Sequence, residues 1–168
     1  NSINIARLIP QSCYYFYAYA QRKLRDRPVV FSVPSGNFGN LTAGLLAKRM
    51  GLPVQKFIAS TNVNDVVPDY LHPAHLTPRP SVHTLSHAMD VGNPSNFARM
   101  LDLYGGNLQA IKNDITGYAF TDTDTEVAMR SVMEAHHYML DPHGAIGYLG
   151  LKKYLLENPS DVNAIFLG

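Results

Sequence analysis

Two kinds of hydrophobic pattern alternate along residues 27–60. Residues 29–33, Val-Val-Phe-Ser-Val, and 54–59, Val-Gln-Lys-Phe-Ile-Ala, are short runs rich in β-branched and aromatic side chains, as buried parallel strands require. The stretch between them predicts a helix with explicit ends. Lys48 and Arg49 fall in its last turn, where positive charge meets the negative end of the helix dipole; Gly51 offers a left-handed cap and Pro53 forbids continuation. The segment therefore predicts a right-handed βαβ unit.

Elsewhere the pattern is looser. Within residues 2–24, Ile9, Cys13, Phe16, Ala20 and Leu24 fall three or four apart, predicting a helix that turns this stripe to a sheet and is kinked or restarted at Pro10. The run Tyr14, Tyr15, Phe16 and Tyr17 occupies successive helical positions that diverge by about 100°, so it predicts core and rim packing rather than a stacking platform. Prolines 68, 73, 78 and 80 limit residues 62–83 to a short helix at 65–71 and an irregular excursion. Phe97, Met100, Leu101 and Tyr104 predict a helix ended by Gly105-Gly106. Residues 116–121 predict a strand, and Thr123-x-x-Glu126 a capping box opening a helix with Ala128, Val132, Ala135 and Met139 on one face; His136 and His137 at its end suit the dipole. Asp141 as N-cap and Pro142 at the first position predict a further helix, with Tyr148, Leu151 and Leu155 packed beneath it. Its Gly144, Gly147 and Gly150 suggest close approach by another backbone or a ligand, and residues 162–167 predict a closing strand. The sum is an α/β fold with a largely parallel, Rossmann-like sheet covered on both faces, one domain over residues 1–168, with ligands expected beyond the carboxyl ends of the strands.

Composition narrows the function. With 46% hydrophobic and 16% charged residues among 168, the chain can bury a core, which excludes disorder. Fourteen basic against 13 acidic side chains leave no excess charge for nucleic acid or anionic lipid. Cys13 alone cannot close an internal disulfide, and no 18-residue apolar run or signal peptide is visible, so a cytoplasmic setting is expected. His72 and His75 have no cysteine or second histidine pair at finger spacing, and no metal is predicted.

Candidate chemistry concentrates in Ser35-Gly36-Asn37-Phe38-Gly39-Asn40, between the carboxyl end of a strand and the amino end of a helix. Unpaired first-turn amides and the dipole make such a place an anion site, and glycines allow close approach. The spacing alone equally suits an ordinary tight strand-to-helix turn. It is neither Gly-x-Gly-x-x-Gly nor a loop followed by Gly-Lys-Ser/Thr, which disfavours dinucleotides and nucleoside triphosphates. Ser2, Asn4 and Arg7 form a second polar cluster at a helix start, either reaching an anion or serving as a cap and a solvated arginine.

These segments also resemble a known family. Val33-Pro34-Ser35-Gly36-Asn37-Phe38-Gly39-Asn40-Leu41-Thr42-Ala43-Gly44 is similar to the phosphate cradle of the threonine synthases, enzymes of the tryptophan-synthase-β-like pyridoxal-phosphate fold (fold type II). Asn1-Ser2-Ile3-Asn4-Ile5-Ala6-Arg7, Ala59-Ser60-Thr61-Asn62-Val63-Asn64-Asp65, Leu85-Ser86-His87-Ala88-Met89-Asp90-Val91 and Asp141-Pro142-His143-Gly144-Ala145 resemble family segments in the same order, the last departing from Glu-Pro-His at its first residue. The resemblance implies pyridoxal 5'-phosphate as cofactor, bound through Gly36, Asn37, Phe38, Gly39 and Asn40, with Ser2, Asn4 and Arg7 towards a phosphorylated amino-acid substrate. It implies conversion of O-phospho-L-homoserine and water to L-threonine and phosphate. Family members are two to three times longer and carry their Schiff-base lysine upstream, in a Phe-Lys-Asp context that none of Lys23, Lys48, Lys56, Lys112, Lys152 and Lys153 shares. The chain is thus expected to be part of a longer enzyme, to need the rest of that chain as partner, and to be inactive alone. The alternatives are another fold-type-II enzyme, such as a dehydratase or cysteine synthase, and a non-catalytic phosphate-ligand module.

Overall fold

The computed structural model describes residues 4–72 and 77–168; the expectations for Ser2 and His75 lie outside them. Four strands form one parallel sheet in the order β3-β2-β1-β4, with β1 at Val29–Pro34, β2 at Val54–Thr61, β3 at Ile115–Ala119 and β4 at Asn163–Phe166. The α/β expectation and the central βαβ unit hold. The helices are α1 (Leu8–Gln21), α2 (Gly39–Arg49), α3 (Val66–Leu71), α4 (Phe97–Leu103), α5 (Leu108–Asp114), α6 (Asp122–His136) and α7 (Pro142–Glu157).

Alternation along the strands sorts the core into two layers. Val29, Phe31 and Val33 of β1 and Phe57 and Ala59 of β2 join Tyr15 of α1 and Leu41 and Leu45 of α2 on one face. Val30 and Ile58 meet Leu151 and Tyr154 of α7 on the other. Helix α7 lies unusually close to the sheet. The Ser32 hydroxyl donates to the Gly147 carbonyl at 2.6 Å, and a β-carbon at Gly150 would stand 1.9 Å from Ser60 Oγ. Backbone approach accounts for Gly147, where a β-carbon would stand 2.9 Å from the Leu167 carbonyl oxygen, whereas at Gly150 the close neighbours are the side chains of Ser60 and Ser32.

Three local expectations are corrected. Helix α1 buries Leu8, Ser12 and Tyr15, while Ile9 and Phe16 are exposed, so the stripe facing the sheet is the neighbouring one. Pro10 falls in the first turn of α1, where its missing N–H has no intrahelical role, and the restart lies before it, at a 3-10 turn over Ile5–Arg7. The capping box of α6 is Thr121 with Asp124, two residues ahead of the one predicted; Thr125, Ala128 and Val132 form the buried face, whereas Ala135 and Met139 are exposed. Helix α5, capped by Asn107, was not anticipated.

Candidate functional site

At the carboxyl end of β1, residues 34–40 meet Ala88, Met89 and His143 around a pocket of about 260 Å³. The loop residues are adjacent in sequence; the other three come from a 3-10 turn at His87–Met89 and from the start of α7.

Most of the loop's polar side chains are engaged in holding its shape. Ser35 donates its amide to the Ser60 carbonyl at 2.8 Å and its hydroxyl to the Val33 carbonyl at 2.9 Å, fixing the loop to the ends of β1 and β2. The Asn37 side-chain oxygen accepts from the Ser95 amide at 2.6 Å, and its carbonyl accepts from Asn96 Nδ2 at 2.9 Å. Asn40 accepts from the Tyr15 hydroxyl through both its side chain, at 2.7 Å, and its carbonyl, at 2.9 Å. Tyr15 is fully buried, and burial pushes its phenol well above the ordinary value, so it remains a neutral donor. Its ring meets Phe31 and Phe57 edge-on at 5.0 and 5.8 Å, contacts worth about 0.5–1.5 kcal/mol each beyond their burial.

What remains for a ligand is backbone. Phe38, the residue before α2, offers no side-chain cap and holds a left-handed conformation with φ 60°. For a non-glycine residue that conformation costs about 1–3 kcal/mol, and the buried Phe38 ring anchors it. The first intrahelical bond of α2 runs from the Thr42 amide to the Phe38 carbonyl at 2.9 Å. The amides of Gly39, Asn40 and Leu41 precede it and so have no intrahelical acceptor, at the positive end of the dipole. The glycines act otherwise than expected: neither has a positive φ, and a β-carbon at Gly36 would lie 2.6 Å from Met89 Cα, so Gly36 admits the facing turn rather than a ligand.

That turn is fastened by a polar network. Asp90 Oδ1 accepts from Asn62 Nδ2 at 2.9 Å and from the Thr84 hydroxyl at 2.7 Å, and Asn62 Nδ2 also donates to Ser86 Oγ at 3.0 Å. Asn64 Nδ2 donates to the Asn62 side-chain oxygen at 2.9 Å. Asn62 and Ser86 are fully buried, and these bonds satisfy them while holding Ala88 and Met89 over the loop.

Opposite stands α7. Asp141 Oδ1 accepts from the His143 and Gly144 amides at 2.8 and 3.3 Å and lies 3.0 Å from His143 Nδ1. Burial, the largest single influence, raises the Asp141 carboxyl, but these hydrogen bonds together outweigh it and hold the group below its ordinary value.

All five predicted loop residues, Gly36, Asn37, Phe38, Gly39 and Asn40, line the pocket. Asn4 and Arg7 do not. The Asn4 side chain caps the 3-10 turn by accepting from the Ala6 amide at 3.0 Å, and Arg7 is exposed beside Leu8, whose Cδ2 would contact a Gly39 β-carbon at 3.9 Å. Met89 and His143 were missed as site residues, although both sit in segments that sequence reading had marked; only tertiary structure places them here. A tetrahedral phosphate fits this setting of open first-turn amides. No lysine lines the pocket: Lys48 pairs with Asp114 at 2.7 Å, Lys56 donates to the Lys112 carbonyl at 2.7 Å, and Lys153 lies over the Tyr118 ring.

Comparison with known proteins agrees with this geometry, although no family model matches the chain. The threonine synthase of Haemophilus influenzae is 50% identical over 164 residues, which is 96% of this chain and 38% of that protein. The crystal structure of threonine synthase from Brucella melitensis with bound pyridoxal phosphate superposes with a TM-score of 0.88 at 34% identity, covering 99% of this chain and 40% of that one. A fungal L-serine ammonia-lyase from Rhizomucor miehei, at 15% identity and TM-score 0.71, shares the fold. The chain thus spans somewhat more than a third of the relatives it matches, and over that span it is similar to threonine synthases in both sequence and fold.

Proposed function

We propose that this chain supplies the phosphate-holding wall of a pyridoxal-phosphate-dependent threonine synthase, which converts O-phospho-L-homoserine and water to L-threonine and phosphate. The observation that carries the reading is the loop 35–40, whose side chains are largely tied into the protein while the first-turn amides of α2 stay open beside a pocket. Gly36, Asn37, Phe38, Gly39 and Asn40 hold the phosphate of the cofactor through backbone N–H groups and the dipole of α2. When bound, the cofactor supplies the electron sink for chemistry at the substrate's carbon skeleton. The residues of this chain bind and orient it, and the 87–89 turn covers its phosphate end. Residues 1–168 form one α/β unit, and the lysine that bonds the cofactor comes from outside them, since none lines the pocket. Ser2, Asn4 and Arg7 belong to the substrate side, a reading that the resemblance of residues 1–7 to a family segment supports. An exposed, unpaired Cys13 suits a reducing, cytoplasmic setting.

The test uses the intact gene product with pyridoxal phosphate and O-phospho-L-homoserine. Threonine and phosphate should form in equal amounts, and borohydride reduction should trap the cofactor on a lysine other than these six. Stoichiometric labelling of Lys23, Lys48, Lys56, Lys112, Lys152 or Lys153 would overturn the division of labour, and absence of turnover would overturn the reaction.

A further inference from the structure

Helix α1 carries two apolar faces, and only one of them is covered. Leu8, Ser12 and Tyr15 are buried, while Ile9, Cys13, Phe16 and Tyr17 form a neighbouring stripe that is exposed, Ile9 at 61% and Tyr17 at 70%. No Asp, Glu, Lys, Arg or His occurs between Leu8 and Gln21. A helix that is uncharged on every side belongs inside a protein. At its far end, Tyr17 and the exposed Leu24 share a groove of about 570 Å³ with Val162, Ala164 and Ile165. The strand there, β4, is the edge of the described sheet. The amides of Asn163 and Leu167 donate to the Pro28 and Ser32 carbonyls at 2.8 and 2.9 Å, so the alternation along a parallel strand turns the N–H groups of Ala164 and Phe166 away from β1. The sequence Asn-Ala-Ile-Phe has no lysine or proline to blunt that edge.

We propose that the outer stripe of α1 and the edge of β4 are one docking surface, covered by the part of the same polypeptide outside residues 1–168, which lays a strand along β4 and apolar side chains on α1. The proposal rests on the reading of this chain as part of a longer enzyme. Length and chemistry select the occupant. The chain spans 38% and 40% of two threonine synthases that it resembles, so more than half of such a protein lies outside the matched span. No lysine lines the pocket at residues 34–40, so the proposed reaction needs that outside part packed permanently against this one. Permanent interfaces resemble a core cut in two, whereas encounters between separate molecules are steered by charge. The stripe has no charge, and at the groove only Arg22 and Lys23 carry any. An added strand would accept from the Ala164 and Phe166 amides and set alternate side chains beside Tyr17 and Leu24.

The test uses the intact gene product. Cys13 is the reporter, because it stands in the stripe, is exposed, and is the one cysteine of residues 1–168. Its alkylation by iodoacetamide, followed on its own peptide by mass spectrometry, should run at least about a hundredfold more slowly in native buffer than in urea, as for a thiol reached only when the structure opens. The Ala164 and Phe166 amides should be slow in hydrogen exchange, and dilution of the protein should change neither result. Rapid alkylation together with rapid exchange in the native protein overturns the proposal and leaves the phosphate-cradle reading, tested by turnover, intact. Protection at only one of the two places overturns the single surface. Protection that disappears on dilution makes a second copy the occupant and overturns the proposal as well. A gene product no longer than these 168 residues would overturn both this proposal and the reading on which it rests.

Discussion

Two helices begin at the same pocket and are finished in opposite ways. Helix α7 is closed by its own sequence: Asp141 occupies the N-cap, satisfies two backbone amides, and is followed by Pro142, which has no amide to satisfy. Helix α2 has a left-handed phenylalanine where a capping side chain would stand, and leaves its first-turn donors open. Both Asn37 and Asn40 are residues able to cap, yet their side-chain oxygens face Ser95 and Tyr15. The contrast teaches that withholding a cap leaves first-turn donors free, which is what the proposed anion site requires. The strain at Phe38 and the open amides weaken the isolated helix, and the surrounding core of Tyr15, Phe31 and Phe57 offsets them.

The largest way to break the contrast is to disturb the open end from behind. A β-carbon at Gly36 would lie 2.6 Å from Met89 Cα and 3.1 Å from its carbonyl oxygen, both backbone atoms held by the Asn62–Ser86–Asp90 network. Gly36→Ala should therefore cost about 1–3 kcal/mol, read as a lower midpoint in urea unfolding, and weaken sulfate binding by pushing loop and turn apart. A variant as stable as wild type would show that this contact gives way easily.

A smaller loss is expected at the closed end. Asp141→Ala should destabilise by about 1 kcal/mol, at the lower side of the usual range because the Asp141 side chain is 58% exposed and screened by solvent. The sign of its pH dependence follows from a folded-state value held below the ordinary one. The contribution is complete above the carboxyl's ordinary value of about 3.9 and disappears as pH falls through the lower folded value. Wild type and variant should thus differ in urea midpoint at pH 7 and converge in strong acid. An undiminished gap at pH 2 would mean that the cap acts by something other than its charge.

The same contrast explains what the sequence could and could not reveal. The strands were readable because buried parallel strands are uninterrupted apolar runs, and the end of α2 because Lys48, Arg49, Gly51 and Pro53 each act within one turn. The loop could be put forward from sequence as a candidate anion site because its ingredients are contiguous, and the structure gathers all five of its predicted residues at one pocket. The face of α1 was misassigned because Leu8, Ser12 and Tyr15 have the same spacing as Ile9, Cys13 and Phe16, one residue out of phase, and Ser12 disguises the buried side; its hydroxyl bonds the Ile9 carbonyl at 2.6 Å. Two overlapping threonine-acid pairs, Thr121 with Asp124 and Thr123 with Glu126, made the start of α6 ambiguous by two residues. Helix α5 carried a usable signal, Asn107 before Leu108 and Ile111, in a segment too short to attract attention. His143 and Met89 reach the loop through tertiary packing across long stretches of chain, which no local pattern encodes.

The smallest expected change in stability is also the sharpest test of the open helix end. Gly39 is the first residue of α2, has no positive φ, and has room for a β-carbon, whose nearest neighbours would be Asn96 Nδ2 at 3.5 Å and Leu8 Cδ2 at 3.9 Å. Gly39→Ala should leave stability within about 0.5 kcal/mol of wild type. Gly39→Val adds two methyl groups at a position bounded on one side by those contacts, so they extend towards the pocket and crowd the neighbouring amides. Its stability should fall by no more than about 1 kcal/mol, while sulfate affinity falls at least about tenfold, a loss of about 1.4 kcal/mol in binding. Such a divergence between two one-residue variants would separate ligand recognition from folding at the same atom. Sulfate affinity in Gly39→Val equal to that of wild type would instead show that the anion is held elsewhere, and that the uncapped start of α2 is only a tight turn.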